Sequence, residues 1–385
     1  MTDADTLRML TEAAAAAAPF DAKRVRGWRD KAPGFDRAQW TVMAEQGWLS
    51  ILVPEDLGGL GLELDAATAI AQVLGYAAAP EPFVAAGIVA PQLLASCPAG
   101  ETRDTVLADV ISGTKVACIA HLNPSGELAF GSTAVRARKT ASGYSLNGEY
   151  RFVPVPDADA FIAPVVLDRA EQGGKPDLCQ AELLWIDAGL NGIEVERETT
   201  ADGGAHGWIR LTNVEVPAAA QLAAGDIWPI FDAASDYGTI GNCAELLGNM
   251  ERCLELTLEF LKTRSQFGQQ IGKFQVLQHR AVDLWMNKEV ARHALTASVA
   301  TVMAPDVPAA ARAQATSSAK ARIGQTALHL GNDAIQLHGA IGFTDEYDLA
   351  LYVNRAIAIA PYLGNAAEHL KRYGELKQRR MEVST

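Results

Sequence analysis

Long apolar runs are missing. Nothing in the 385 residues approaches the ~20 consecutive apolar side chains that a membrane-crossing helix needs, and the acidic start MTDADTLRML lacks the apolar core of a leader. Neither insertion nor export is expected. Positive charge is in deficit too: the formal net charge of −13 argues against an electrostatic grip on nucleic acid or anionic lipid. Cysteine is sparse. Cys97, Cys118, Cys179, Cys243 and Cys253 are odd in number and lack metal-like spacing, which speaks against a disulfide framework and a zinc centre and for a reducing, cytoplasmic setting. Also absent are a GxGxxG after a strand, a phosphate-loop lysine, a CxxC pair and a GxSxG elbow. Nicotinamide, nucleotide-hydrolase and serine-hydrolase chemistries therefore lack support, and no metal is expected.

What is present is an ordinary globular composition, 49% hydrophobic and 21% charged, large enough for two or three packed units. Residues 1–112 read as helical: TEAAAAAAPF is rich in the strongest helix former and stops at Pro19, and LDAATAIAQVLGYAAA spaces its apolar residues three and four apart. The glycine-rich VPEDLGGLGLE lies between them. From Gly113 to Ala224 the texture is short β-type runs with turns, and Asn147-Gly148 is a hairpin signal. From residue 225 to 385 helical periodicity returns; ELLGNMERCLELTLEFLKTR places Leu246, Leu247, Met250, Cys253, Leu254 and Leu261 on one face. The expected fold class is α+β: an N-terminal helical domain (1–112), a small central β-barrel or sandwich (113–224) and a C-terminal four-helix bundle (225–385). His279, His293 and His329 fall on helical segments and read as structural.

Two segments carry more than a helix connection needs. KTRSQFGQQIGKFQVLQHRAVDLW interrupts two apolar helices with a polar, glycine-punctuated turn bearing Arg264, Phe267, Gly268 and Gln275. An arginine fork, an aromatic face and an amide suit a dinucleotide's pyrophosphate and adenine. IQLHGAIGFTDEYDLALY follows, where Gly339 and Gly342 would admit close backbone approach to a ligand.

With VPEDLGGLGL, RSQFGQQIGKFQ and QLHGAIGF in that order around a β-rich centre, the chain resembles the acyl-CoA dehydrogenase family over nearly its whole length. The resemblance implies a three-domain flavoprotein. In that family FAD lies between the β-domain and the C-terminal bundle, and a glutamate takes the α-proton of an acyl-CoA while hydride passes to the flavin. It further implies an acyl-CoA substrate, an electron-transferring flavoprotein as electron acceptor, and a flavin shared across a subunit interface. The neighbouring protomer's contribution to the FAD nucleotide corresponds here to Arg264, Phe267, Gly268, Gln275, Gln336, Leu337 and Gly339.

The protomer's own half departs from the family. The more frequent base position, in a Tyr-Glu-Gly stretch, falls on Leu363 of Tyr362-Leu363-Gly364; the other, on the first long bundle helix, falls on Gly238. Neither can accept a proton. Asp236 is two residues from Gly238, a rotation of about 200° on a helix, so only a loop there would rescue it. Same-face neighbours Ala234, Ser235, Gly241 and Asn242 bring no carboxylate. In place of the flavin-embracing loops stand HLNPSGELAFG and YRFVPVPDAD, with Leu122, Asn123, Phe152 and Pro154 at the contacting positions, and Asn365 replaces the threonine after Tyr-Glu-Gly. Such a chain is half a site, similar to the base-lacking small subunits of two-chain acyl-CoA dehydrogenases acting on steroid side chains or pimeloyl-CoA. The partner it implies is a second acyl-CoA dehydrogenase-like subunit in an α2β2 hetero-oligomer. A homo-oligomeric flavoenzyme of desulfinase- or oxygenase-like chemistry, and a non-catalytic scaffold, remain open beside it.

Overall fold

The computed structural model describes residues 2–123, 125, 135–167 and 181–383. Helices come first: α1 (Ala4–Ala17), α2 (Ala22–Gly27), α3 (Arg37–Glu45), α4 (Leu64–Tyr76), α5 (Ala90–Ser96) and α6 (Glu101–Ile111). Strands β1 (Ala117–Ile119), β2 (Arg136–Lys139), β3 (Gly143–Val153), β4 (Ala160–Leu167), β5 (Ala181–Asp187), β6 (Ile193–Thr199), β7 (Ala205–Pro217) and β8 (Gln221–Gly225) follow. The C-terminal part holds α7 (Trp228–Thr263), a hairpin of β9 (Ser265–Gln266) and β10 (Gln269–Gln270), α8 (Gln275–Val302), α9 (Ala309–His338), α10 (Leu349–Ile359) and α11 (Ala366–Val383). The helix, sheet, helix order read from the sequence is present. No helix among the described residues is long and apolar enough to cross a membrane.

Two compact units can be distinguished. One comprises Trp28–Leu62 and Pro80–Gly238 and contains the sheet, ordered β6-β7-β3-β2-β4-β5-β8 with β1 alongside β4. Strands β4 and β5 are buried almost throughout, which fits the continuous apolar run AFIAPVVL of β4; in AELLWID of β5 the buried Glu182 is paired with Lys139 at 3.0 Å. The expected hairpin at Asn147-Gly148 is not formed. Strand β3 runs straight through both residues, and the pairing with β7 shifts there instead. Asn147 exchanges side-chain hydrogen bonds with Asn213, its Oδ1 accepting the Asn213 N–H at 2.9 Å and its Nδ2 donating to Asn213 Oδ1 at 3.1 Å. With φ of +135° at Gly148 and +50° at Asn213, the Asn-Gly pair makes an irregularity in a long ladder rather than a chain reversal.

The other unit comprises Met1–Gly27, Glu63–Ala79 and Thr239–Thr385. Helices α4 and α7 cross at backbone distance. A Cβ on Gly248 would sit 1.8 Å from the Gln72 carbonyl oxygen, and one on Gly75 would sit 2.0 Å from that of Glu245. Only hydrogen at both positions permits this approach. On the far side of α7, α9 and α10 close the core with Ile323, Ala327, Leu330, Tyr352 and Ala356.

Candidate functional site

Arg264, Phe267, Gly268 and Gln275 gather on one exposed element. The turn expected after α7 is a two-residue β-hairpin: Gln266 pairs with Gln269 and Ser265 with Gln270, and the Ile271 N–H closes it on the Arg264 carbonyl at 2.9 Å. Its tip residues, Phe267 and Gly268, have φ of +53° and +80°, as a two-residue turn matched to strand twist requires. Glycine meets that demand without strain; phenylalanine does not. Held this way, the Phe267 ring is 91% exposed, with only the edge of Phe274 near it at 6.2 Å. Arg264 is exposed, and no carboxylate among the described residues pairs with its guanidinium. Gln275, the first residue of α8, is exposed as well.

The end of α9 divides the second segment. Gln336 is exposed, but the Leu337 side chain is buried, so Leu337 has only backbone atoms to offer an outside ligand. His338 is buried beside it, stacked on Phe260 with ring centroids 4.4 Å apart, its Nδ1 2.8 Å from the Ala334 carbonyl, and burial lowers its pKa. Gly339 has φ of +66° and ψ of −142°, a conformation reserved for glycine, yet a Cβ there would meet nothing within 4 Å. Its freedom serves the backbone path, and its outer face is open. Gly342 packs against the end of α9, where a Cβ would come within 3.0 Å of the Ile335 carbonyl oxygen; the close approach expected of it is to the chain itself.

Leu363 is buried at the turn between α10 and α11 and adopts a left-handed φ of +57°, followed by Gly364 at +106°. Its carbonyl accepts a hydrogen bond from His369 Nε2 at 2.9 Å, while His369 Nδ1 lies 3.2 Å from Ser317 Oγ. Burial depresses the His369 pKa to about 4, so the ring is neutral. Asn365 is engaged by its own helix: Oδ1 accepts the N–H groups of Ala367 and Glu368 at 2.9 and 3.1 Å, and Glu368 returns a carboxylate oxygen to the Asn365 N–H at 2.7 Å. That capping box puts a negative charge at the mouth of α11, where an anion would otherwise be favoured.

Helix α7 is unbroken from Trp228 to Thr263, so the loop that would let Asp236 stand in for a base is not there. Asp236 is fully buried on the side of α7 away from Gly238. One turn beyond Gly238, Asn242 donates to the Ile359 carbonyl at 3.2 Å and accepts from Lys320 Nζ. Lys320 is wholly buried, and desolvation pulls its pKa down to about 8. The carboxylate of Glu245 is bound by Arg355 at 2.7 and 3.2 Å. Lys320 with Asn242, and Arg355 with Glu245, are thus committed to each other. Sequence reasoning did not find Lys320, because SSAKARIG carries no sign of which face of α9 is inward.

In the sheet unit, Phe152 sits at a second irregularity of β3, with φ of +56°, and its ring stacks with Arg151, whose guanidinium lies 5.0 Å from Phe152 and 4.7 Å from Trp208. Arg151 is bound to Glu198 at 2.6 Å, and its N–H donates to the Leu122 carbonyl. Pro154 supplies neither N–H nor hydroxyl. Of HLNPSGELAFG, residues 124 and 126–131 lie outside the described residues, as does Cys179.

Matches to known families decide what these pieces belong to. Residues 4–114 match the model for the acyl-CoA dehydrogenase N-terminal domain, and residues 228–375 match that for the acyl-CoA dehydrogenase C-terminal domain. The chain belongs to the acyl-CoA dehydrogenase family. It is thus a member of a family of flavoprotein oxidoreductases with the family's helical, sheet and helical arrangement. Acyl-CoA dehydrogenase FadE27 of Mycobacterium tuberculosis (strain ATCC 25618 / H37Rv) is 28% identical over 345 residues, 88% of each chain. Acyl-CoA dehydrogenase IpdE2 of the same strain is 29% identical over 343 residues, 88% of this chain and 86% of the relative. Among solved structures, a chain of the ChsE4-ChsE5 complex from Mycobacterium tuberculosis superimposes with a TM-score of 0.81 at 27% identity, covering 97% of both chains.

On the hairpin, at the start of α8 and at the end of α9, a guanidinium with no carboxylate partner among the described residues, an exposed aromatic ring and two exposed amides are available, which suits the nucleotide end of FAD. Phe152 and Pro154 in the sheet unit, and Leu363 in the other unit, bring neither a hydroxyl nor a carboxylate.

Proposed function

We propose that this acyl-CoA dehydrogenase-family chain is the glutamate-lacking subunit of a heteromeric FAD-dependent enzyme, and that it completes a flavin site whose cleft and base belong to a homologous partner. The observation that carries the reading is the outward hairpin: Arg264 without a carboxylate partner and Phe267 held in solvent against its backbone preference. Arg264 would bind the FAD pyrophosphate by its fork, Phe267 and Gln275 would meet the adenosine, and Gln336 with the Leu337–Gly339 backbone would close the far side. Bound FAD supplies the hydride-accepting chemistry. This chain contributes affinity and orientation only, since Leu363 and Gly238 take no proton. The complex would desaturate the α,β bond of a bulky or dicarboxylic acyl-CoA of the steroid side-chain or pimeloyl-CoA type, and pass its electrons to an electron-transferring flavoprotein. Support for two kinds of chain comes from the ChsE4-ChsE5 similarity, a complex of two named components.

The decisive measurement is flavin retention by the co-expressed complex after Arg264→Ala. A fork on a partly buried pyrophosphate is worth about 2–4 kcal/mol, so FAD affinity should fall ~30-fold or more while helix content stays unchanged. Arg264→Lys should also be impaired, because an ammonium cannot reproduce two parallel bonds. Unchanged occupancy and turnover would replace this reading with the scaffold one.

A further inference from the structure

Two side chains of QLHG are buried, those of Leu337 and His338. A buried leucine there is ordinary core; a buried imidazole is not. The His338 ring lies in an aromatic cluster: it stacks on Phe260 with 4.4 Å between centroids and 27° between planes, and Tyr347 stands 5.1 Å from it and 6.2 Å from Phe260. Its Nδ1 meets the Ala334 carbonyl, which belongs to α9, so that bond fixes the ring on its own helix and the stack is what joins it to α7. The stack lies where both helices end. Phe260 and His338 are 78 residues apart, the same offset that separates Asn242 from Lys320. From Asn242 to Phe260, and from Lys320 to His338, is about five turns. Equal offsets at both points mean that α7 and α9 run parallel and in register over this length, so α9 stops beside the last turn of α7. One turn beyond Phe260 the hairpin begins, the Arg264 N–H donating to the Phe260 carbonyl at 2.9 Å. Directly after His338 comes Gly339, whose φ of +66° ends α9.

We propose that His338 is a positioning residue: its stack on Phe260 sets the spacing between Arg264 on one segment and Gln336 with the Gly339 backbone on the other, so that one dinucleotide meets both. This rests on the flavin reading given above. A grip drawn from two segments holds a ligand only at the separation the ligand itself has, and a misplacement of about 1 Å is enough to cost an order of magnitude or more. An imidazole suits the task better than an aliphatic side chain. Its plane matches the Phe260 ring, and the bond from Nδ1 to Ala334 stops it from turning away.

The test is an FAD titration of the co-expressed complex carrying variants of this chain. His338→Asn keeps a donor for the Ala334 carbonyl and removes the stack; FAD should bind roughly 10-fold more weakly. His338→Phe keeps a ring against Phe260 and removes the donor, and should recover the affinity to within about threefold of wild type. Phe260→Leu should match His338→Asn, and the double variant should be no worse than either, because a single shared contact is lost only once. Hydrogen exchange on the isolated chain gives a second readout, independent of assembly: in His338→Asn the amides of 264–271 and of 336–343 should exchange faster together, while those of 242–256 stay protected. Unchanged FAD affinity in His338→Asn and Phe260→Leu, additive losses in the double variant, equal losses in His338→Asn and His338→Phe, or loosening of one segment alone each overturn the proposal. Arg264→Ala separates this failure from that of the flavin reading. If it weakens FAD binding and His338→Asn does not, the positioning role falls and the flavin reading stands; if neither does, both fall.

Discussion

Lys320 is a charged residue in the interior of the C-terminal helices. Its ammonium is wholly buried, and among the described residues its one hydrogen bond is to Asn242 Oδ1. Burial brings its pKa from the ordinary 10.5 down to about 8. Below pH 8 both the folded and the unfolded chain hold the proton, and the full cost of burying the charge is present. Between about 8 and 10.5 the unfolded chain binds the extra proton, so stability contributed through this residue rises with pH. Lys320→Met removes the dependence. Relative to wild type, the variant should therefore gain most at pH 7 and lose that advantage toward pH 10.5, a swing of roughly 2–3 kcal/mol. The thiols of Cys118 and Cys253, pushed up to about 12 by burial, act alike in both proteins, whereas Cys243 lies near enough to Lys320 for its thiol to shift with the substitution. Denaturant midpoints for the two proteins at pH 7 and pH 10 provide the check; a difference that does not change between them would mean the lysine is not buried as a charge. His369 acts in the opposite range: with its pKa lowered to about 4, protonation favours the unfolded chain, and stability should be lost as the pH falls below the ordinary histidine value.

At the scale of elements, the α7–α8 hairpin sets stability against function. Phenylalanine at φ of +53° costs on the order of 1 kcal/mol, and Phe267 recovers little of it through packing. Asparagine is the preferred residue at this turn position. Phe267→Asn is thus expected to stabilise the isolated chain by about 0.5–1 kcal/mol in thermal unfolding, and to weaken FAD retention in the complex with its partner. A variant both more stable and undiminished in flavin binding would show that the ring has no ligand. The RSQFG and QLHG segments were legible in the sequence because glycines and exposed polar residues interrupt strong helical periodicity locally. Other features depended on distant partners. Asn147-Gly148 mimics a hairpin signal, and only its pairing with Asn213, 66 residues away, makes it a strand irregularity. Likewise, Lys320 looks like a solvent-facing helix residue until α9 meets α7 and Asn242, 78 residues distant. The closure of α11 by Asn365 and Glu368 was readable in principle as a capping box, but it takes the left-handed turn at Leu363 and Gly364 to place the helix start there.

At the scale of the whole molecule, the proposed function makes a prediction about stoichiometry. On the proposed reading, the residues that would grip the nucleotide end of a flavin lie on the hairpin, at the start of α8 and at the end of α9, exposed except for the inward Leu337 side chain. On the same reading, the positions that the resemblance gives to the flavin ring and the base are filled by Phe152 in β3, Pro154 just after it, Gly238 in α7 and Leu363 after α10, none of which can take a proton. If the proposed function holds, a homo-oligomer of this chain contains only defective clefts, whereas a pair with a complete homologue contains one competent cleft. The chain purified alone is therefore expected to hold little or no FAD and to oxidise no saturated acyl-CoA with an artificial acceptor, while the co-expressed complex should hold one FAD per pair of chains. Leu363→Glu sharpens the test. Its carboxylate would enter a buried, left-handed turn whose carbonyl is already tied to His369, so the variant alone should unfold more readily and gain no turnover. In the complex, one flavin per pair should persist, since the added acid lies in the cleft that holds none. Two flavins per pair, or turnover by the Leu363→Glu chain alone, would mean that its own cleft still binds the ring and that the departures at Phe152 and Pro154 are not disabling.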